Sequence, residues 1–373
     1  MTKETIKSMI VEAVSIIGVI VGFVIIALFY RSIEEGALEY YKETIMYIAI
    51  IVILLAVVLY IILSNRKPKL KNVTNEFEII YQDLLKFYTP ELQSKKRKGQ
   101  ILKNVITLIL FVLFVIAFYM MNETGMRLGI VIFGVIIIGW YNLSSDNKAF
   151  DEAFKREIIS RLLKAINPTL EYKGDEGYFL KDEYKRVDFG DDNIKKVELS
   201  DYITGKLEDG TDLLMADLTV DKEVEEWDEE KNEYKKHKVT VFKGIFAKVN
   251  CNKYITEQIK ITDNFILKQN KPRIEFSDTE FEKMFDVYTR NEDMTRRILS
   301  DYLMERLIAI KKEYGVGAEI VIQSGCIYMR IHIGGAFEPT KNPMSKTSLY
   351  TDYCIVKTII EIMTEIKKSI ESV

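Results

Sequence analysis

Residues 238–249 read Lys-Val-Thr-Val-Phe-Lys-Gly-Ile-Phe-Ala-Lys-Val. β-branched and aromatic residues crowd this stretch, and such side chains pack best on a pleated, half-buried surface. Three neighbours share its character. Lys195–Tyr202, Asp212–Val220 and Gln258–Thr262 alternate or carry the same residue types, which predicts four strands. Asp209-Gly210 is a hairpin turn signal. Between two of the strands lies Asp221–Lys236, rich in Glu and then in Lys, with Trp227 and Tyr234 inside it. An extended, solvated hairpin tip is expected there. Trp227 and Tyr234 are its candidate contacts with a protein partner.

Helices flank these strands. Phe150, Phe154, Ile158, Leu162 and Ala165 place one apolar face on Phe150–Ile166, and Asn167-Pro168 stops that helix. Ser277 with Glu280 three residues on reads as a capping box. Phe281, Phe285 and Val287 follow as core anchors. Met294–Tyr314 has helical spacing through Ile298, Leu299, Leu303, Leu307 and Ile310, broken near Ser300-Asp301. Glu319–Gln323 and Cys326–Ile333 form a hairpin about Ser324-Gly325, and Ser348–Ile370 closes the chain as an amphipathic helix. The expected architecture over residues 146–373 is a soluble, mixed α+β domain with an antiparallel sheet, enough chain for one core or two lobes.

The N-terminal part differs in kind. Ile10–Tyr30, Ile45–Ser64, Asn104–Met121 and Leu128–Leu143 are continuous apolar runs, and about 20 such residues cross a bilayer as a helix. Whole-chain averages conceal them: 29% of residues are charged and the mean hydropathy is +0.01. Four transmembrane helices are therefore expected ahead of the α+β domain. Residues 1–65 and 104–145 would be two membrane hairpins, and residues 66–103 a basic loop between them. That loop carries Arg66, Lys67, Lys69 and Lys71, then Lys95, Lys96, Arg97 and Lys98. Basic loops stay on the cytoplasmic side, so an integral plasma-membrane protein with four spans and both termini cytoplasmic is expected. Lys95, Lys96, Arg97 and Lys98 are candidate contacts for lipid headgroups of the bilayer. Gly18 and Gly22 are spaced for close helix–helix packing. Asn75–Leu92 has helical spacing, with Thr74 or Asn75 as its cap and Pro90 at its end.

Chemical motifs are sparse. The sequence contains no P-loop, no dinucleotide-binding Gly-x-Gly-x-x-Gly after a strand and no Gly-x-Ser-x-Gly elbow. Cys251, Cys326 and Cys354 are scattered and suggest neither a disulfide framework nor a zinc site. His237 sits among lysines and reads as an exposed strand residue. His332 lies beside Arg330, and a catalytic role for it needs a neighbouring carboxylate. Asp191-Asp192, Asp209 with Asp212, and Asp217 with Asp221 hold oxygens that suit a divalent ion, yet acidic turns also arise from capping. Gly334-Gly335-Ala336-Phe337 reads as a loop after a strand. A net charge of −3 is too small to point to nucleic acid. No catalytic residue, cofactor or metal is assigned.

One set of segments recurs together. Glu76-Phe77-Glu78, Phe154–Ile159, Val241–Ala247, Asn252-Lys253, Glu280–Tyr288, Leu303–Leu307, Ile327–Ile331 and Ala336–Pro339 stand in this order. Over about residues 76–373 the chain resembles the bacterial membrane proteins grouped as domain of unknown function 3137. That resemblance implies no activity and supplies no catalytic residues. Three functions are weighed. The first is a membrane-tethered cytoplasmic interaction or scaffold module, with a protein partner or a homo-oligomer. The second is a channel or transporter component, disfavoured by the near absence of charge in the apolar runs. The third is a membrane-bound enzyme with an unrecognised site.

Overall fold

A computed structural model describes residues 73–99, 148–228, 233–255, 257–263, 272–340 and 342–372, with the single positions 101, 106, 109 and 134. Two compact units are distinguished. The first takes in residues 1–69 and 309–316, of which 309–316 are described. There a π-helical turn, Ile310–Tyr314, ends on Gly315 at φ +67, a left-handed cap that glycine adopts without strain. The second unit, residues 70–308 and 317–373, carries the features below.

It begins with α1 (Asn75–Phe87), capped by Thr74 Oγ1, which accepts from the Phe77 amide at 3.3 Å. This helix ends at Phe87, three residues before Pro90, as the proline leads one to expect. The chain turns at Tyr88-Thr89, and residues 90–99 form a further helix. Thr89 Oγ1 accepts from the Leu92 amide, and Pro90 stands in the first turn. A first-turn residue has no intrahelical use for its N–H, so proline starts a helix as readily as it stops one. Next, α2 runs as Lys148–Phe154, a π-helical turn Lys155–Ile159, and Ser160–Ile166. Phe150, Phe154, Ile158 and Leu162 are buried as their spacing predicts. The wider π turn also brings Lys155 and Ile159 inward.

The strands are β1 (Glu171–Gly174), β2 (Ile194–Lys206), β3 (Asp212–Asp228), β4 (Glu233–Asn250), β5 (Ile259–Asp263), β6 (Arg273–Ile274), β7 (Phe285–Tyr288), β8 (Ala318–Gln323) and β9 (Cys326–Ile331). They form one sheet in the order β1-β2-β3-β4-β9-β8-β5-β7-β6, with antiparallel pairings throughout. The remaining helices are α3 (Phe179–Arg186), α4 (Thr279–Met284), α5 (Glu292–Ile298), α6 (Asp301–Ala309) and α7 (Lys346–Ser372). The cap of α4 is Asp278, one residue past the expected Ser277. Its carboxylate accepts from the Glu280 and Phe281 amides, and Glu282 reaches back to the Phe276 amide at 2.6 Å. The break between α5 and α6 falls at Leu299-Ser300, beside the expected position.

Side chains alternate across a strand, so the sheet has two distinct faces. On one, Ala216, Leu218, Val220, Phe242, Phe246 and Val321 pack with Leu180 and Tyr184 of α3 and with Phe189 beyond it. The intervening residues Met215, Ala247, Ile320 and Met329 are equally buried. Helices α2 and α7 pack against β1 and β9, and α1 packs against α2. Phe77 of α1 also meets the rings of Tyr350 and Tyr353 on α7, at 4.9 and 5.2 Å between centroids.

The four-span architecture and the four-span membrane placement expected above are corrected. Among the described residues, no helix is long and apolar enough to cross a membrane. The longest helix among the described residues is α7. It has 27 residues, but Lys357, Glu361, Glu365, Lys367 and Lys368 interrupt its apolar stripe, so it is an amphipathic helix packed on protein. The architecture described is α+β on an antiparallel sheet. Apart from positions 106, 109 and 134, the runs Ile10–Tyr30, Ile45–Ser64, Asn104–Met121 and Leu128–Leu143 lie outside the described residues, as do Gly18 and Gly22.

Gly244 sits where β4 begins to pair with β9. Its φ is +155, and a Cβ there would lie 2.0 Å from the Ile331 carbonyl oxygen and 2.6 Å from the Ile333 nitrogen. Both obstacles are backbone, so neither can swing aside. Gly244→Ala is expected to destabilise the unit by at least ~3 kcal/mol, read as a lowered denaturation midpoint. A loss below about 1 kcal/mol would contradict this account.

Candidate functional site

Two buried charged centres and one exposed arm stand out. The first centre surrounds Arg330 on β9, whose side chain is 2% exposed. Its Nε donates to Glu319 Oε1 on β8 at 2.8 Å, and Nη2 forms an ion pair with the same oxygen at 2.7 Å. Nη1 donates to the Tyr184 hydroxyl oxygen at 2.5 Å and pairs with Asp191. The Tyr184 hydroxyl in turn donates to Asp191 at 2.8 Å. The guanidinium lies 4.4 Å from the Phe189 ring centroid and 5.4 Å from that of Phe242. Burial opposes its charge, but Glu319, Tyr184 and Asp191 outweigh burial and hold its pKa above the usual value.

His332, just past β9, places Nε2 3.0 Å from the same Glu319 oxygen. The carboxylate that a catalytic histidine needs is therefore present. That oxygen is already shared with Arg330, while Glu319 Oε2 is buried without a hydrogen-bond partner. Alongside, Lys260 of β5 is fully buried with Nζ 3.7 Å from Asp188. Asp188 and Asp191 both belong to the segment 187–193 that joins α3 to β2.

The second centre surrounds Lys155 in the π turn of α2. Its Nζ donates to Asp201 at 2.9 Å and to Glu338 at 2.6 Å, and the Tyr172 hydroxyl donates to Asp201 at 2.7 Å. Burial opposes the ammonium, but Asp201 and Glu338 keep it charged and raise its pKa. Two left-handed, non-glycine residues build this arrangement. Asp201 at φ +55 sits in the β-bulge between Ser200 and Ile203, and Phe337 at φ +62 immediately precedes Glu338. Such backbone costs about 1–3 kcal/mol per residue and persists where the surroundings over-determine it. Asp217 on β3 is 5% exposed, with Oδ1 unpartnered. Burial, reinforced by Asp201 and Glu338, pushes its carboxyl up to about 7.

The arm is the distal part of the β3–β4 hairpin. Pairing of β2 with β3 ends at Ile194↔Lys222, and pairing of β9 with β4 begins at Ile245↔Ile331. Beyond Lys222, β3 pairs with β4 through Glu223↔Lys238, Glu225↔Lys236, Glu226↔Lys235 and Trp227↔Tyr234. Trp227 and Tyr234 are 46% and 67% exposed and meet edge to face at 4.9 Å. Lys236 bridges Glu223 at 3.2 Å and Glu225 at 3.0 Å.

The other sequence candidates are dispersed. Lys95, Arg97 and Lys98 are exposed on the helix of residues 90–99, Lys95 lies 3.5 Å from Glu91, and Lys96 is half-buried, which lowers its pKa. His237 is on β4, exposed, 3.8 Å from Glu226. None of the three acidic pairs converges on an ion. Asp191 is taken by Arg330 while Asp192 is exposed. Asp209 accepts from Lys367 at 2.6 Å, which holds its carboxyl down at about 2. Asp221 accepts from Thr240, away from buried Asp217. Among the described residues no group of three or more His, Cys, Asp or Glu could hold a metal ion. Both buried centres escaped the sequence reading, because partners such as Lys155 and Asp201 are far apart in the chain. The visible signal was a charged residue interrupting an apolar stripe, as Asp217, Glu319 and Arg330 do.

Residues 240–370 match the family described as Protein of unknown function (DUF3137). The family read from the sequence is therefore shown over this stretch, which runs from β4 through α7 and contains Arg330, Glu319, His332 and Glu338. No curated protein matches the chain. Among solved structures, the crystal structure of the mycobacterial trehalose monomycolate transport factor A, TtfA, is similar with 10% identity. It covers 55% of this chain and 92% of its own, at a TM-score of 0.30.

The Asp217 carboxyl yields a pH test. It keeps its proton in the fold up to about 7, whereas an unfolded aspartate ionises near ~3.9. The folded state binds the extra proton between these values. Stability from this group therefore falls as pH rises through the window and is fully lost above about 7. Asp217→Asn is expected to be near neutral at about pH 4 and to stabilise by up to ~4 kcal/mol at about pH 8. Denaturation midpoints of both proteins at the two pH values measure it, and a pH-independent difference would contradict the assignment.

Proposed function

We propose that this chain is an interaction or scaffold module whose contact surface is the tip of the β3–β4 arm. The observation that carries the reading is the exposed Trp227–Tyr234 pair at the end of a two-stranded ribbon. A lone hairpin is marginally stable in water, and this one is kept together by cross-strand charge pairs that are worth little individually at the surface. Large aromatic side chains held in water at such a place are the type that dominates binding energy when a partner covers them. The charge around them offers a polar rim, with Glu225 and Glu226 on one strand and Lys235 and Lys236 on the other. Binding through such a tip needs no cofactor and no reactive group.

The test places a photo-crosslinking amino acid at position 227 or 234 in cells. A discrete protein adduct is expected from the tip, and none from exposed positions on α1. Trp227→Ala with Tyr234→Ala should weaken capture of that partner by about tenfold or more and leave the thermal midpoint nearly unchanged, since both side chains are exposed. Equal capture by the double variant would sink the reading.

A further inference from the structure

The β3–β4 arm has two open edges. Among the described residues, no strand flanks β3 beyond Lys222 or β4 ahead of Ile245. The side chains of residues 234–240 are all exposed. One backbone contact fixes where the main-chain groups along these edges point. The Glu223 amide donates to the Asn193 carbonyl at 3.3 Å, on the side away from β4. Glu223↔Lys238 is therefore a pair whose N–H and C=O groups turn away from each other, and the alternation of an antiparallel ladder carries that pattern along the arm. At Val224↔His237 and Glu226↔Lys235 the same groups turn inward and bond across the ribbon. Tyr234, Lys236 and Lys238 direct theirs outward, off the open edge of β4.

Charge on the arm is sorted by edge, not by face. Side chains alternate across each strand. One face therefore holds Glu223 and Glu225 beside Lys238 and Lys236, and the other holds Glu226 beside Lys235. A flat anionic surface laid on either face meets both signs together. Seen from the edges, the strands differ. Residues 223–227 of β3 contain three glutamates and no lysine, and residues 234–238 of β4 contain three lysines, His237 and no acid. Only a chain running along one edge meets a single sign. Edge lysines ordinarily repel a further strand, and carboxylates on that strand turn the repulsion into attraction. The β3 edge is the poorer template, because the Glu223 amide on it is already taken by Asn193.

We propose that the open edge of β4 at Tyr234–Lys238 takes an acidic, extended segment of a partner protein as an added strand. The inference rests on the arm being the contact surface, and it names the chemistry of what lies there. Main-chain hydrogen bonds to Tyr234, Lys236 and Lys238 supply the affinity, and carboxylates beside Lys235, Lys236 and Lys238 supply the selectivity.

The probe is an end-capped heptapeptide, Glu-Val-Glu-Val-Glu-Val-Glu, added in excess to the full chain while amide hydrogen exchange is followed residue by residue. Protection of the amides at 235 and 237 before peptide is added reports an intact ribbon. The peptide is expected to slow exchange at 234, 236 and 238 by about tenfold or more. The same peptide with lysine in place of glutamate, or with alternate backbone nitrogens methylated, should leave those three amides unchanged. Lys235→Gln with Lys238→Gln should weaken the acidic peptide about tenfold. If that variant loses protection at 235 and 237, the comparison of peptides on the unaltered protein decides. Unchanged exchange, or equal slowing by the acidic and basic peptides or by a single-stranded oligonucleotide of like charge, would overturn the proposal. Crosslinking from positions 227 and 234 is read separately. An adduct there with unchanged exchange overturns the added strand alone, whereas loss of both overturns the arm reading as well.

Discussion

The Arg330–Glu319 pair is the constraint around which the sheet is organised. Two opposite charges stand directly across from each other on β8 and β9, almost without access to water. Removing such a pair from water costs several kcal/mol per ion, recovered only where the remaining donors find partners in good geometry. Arg330 satisfies its guanidinium with Glu319, Tyr184 and Asp191, and stacks it on Phe189. Those partners come from β8, from α3 and from the segment after α3. A one-residue slip between β8 and β9 would send Arg330 to the opposite face. The pair thus specifies register as well as linking a helix and a connecting segment to the sheet.

The Lys155 centre answers a different geometric problem. Lys155 stands three residues before Ile158 and seven before Leu162, at the edge of the apolar stripe of α2. The π turn widens the helix by one residue, and Lys155 enters the interior. It must then meet carboxylates. Asp201 and Glu338 reach it only because the backbone is left-handed at Asp201 itself and at Phe337 just before Glu338. Local strain at two positions is offset by neutralising one buried ammonium. Asp217 is the remainder of this arrangement, a carboxyl whose Oδ1 has no hydrogen-bond partner and whose pKa burial pushes up to about 7 despite Lys243 and Lys155.

Periodicity made most of the fold legible. The long strands β2, β3, β4 and β9, the split between α5 and α6, and the closing helix α7 all lie where alternation or helical spacing puts them. What escaped has identifiable causes. β1, α3 and β6 are short and polar, so no window of apolar residues marks them. Phe285 and Val287 were legible as core but not as a strand, because four residues are too few to show alternation. Pro90 marked the end of α1, but the helix of residues 90–99 was missed, because proline suits a helix start as well as its end. The exposed aromatics of the arm were legible, since Trp227 and Tyr234 stand inside a run of charge. The buried centres were not, because an isolated Lys155 or Asp201 looks like any surface residue until tertiary structure pairs them.

Charge in this chain consequently plays two roles that composition does not distinguish. On the arm, Glu225, Glu226, Lys235 and Lys236 are hydrated and hold a ribbon straight at little individual gain. In the interior, Arg330, Lys260, Glu319 and Asp201 are few and desolvated, and each is expensive to leave alone. The segment 187–193 connects the two regimes, with Asp192 in water, Asp188 exposed yet 3.7 Å from buried Lys260, and Asp191 paired with buried Arg330.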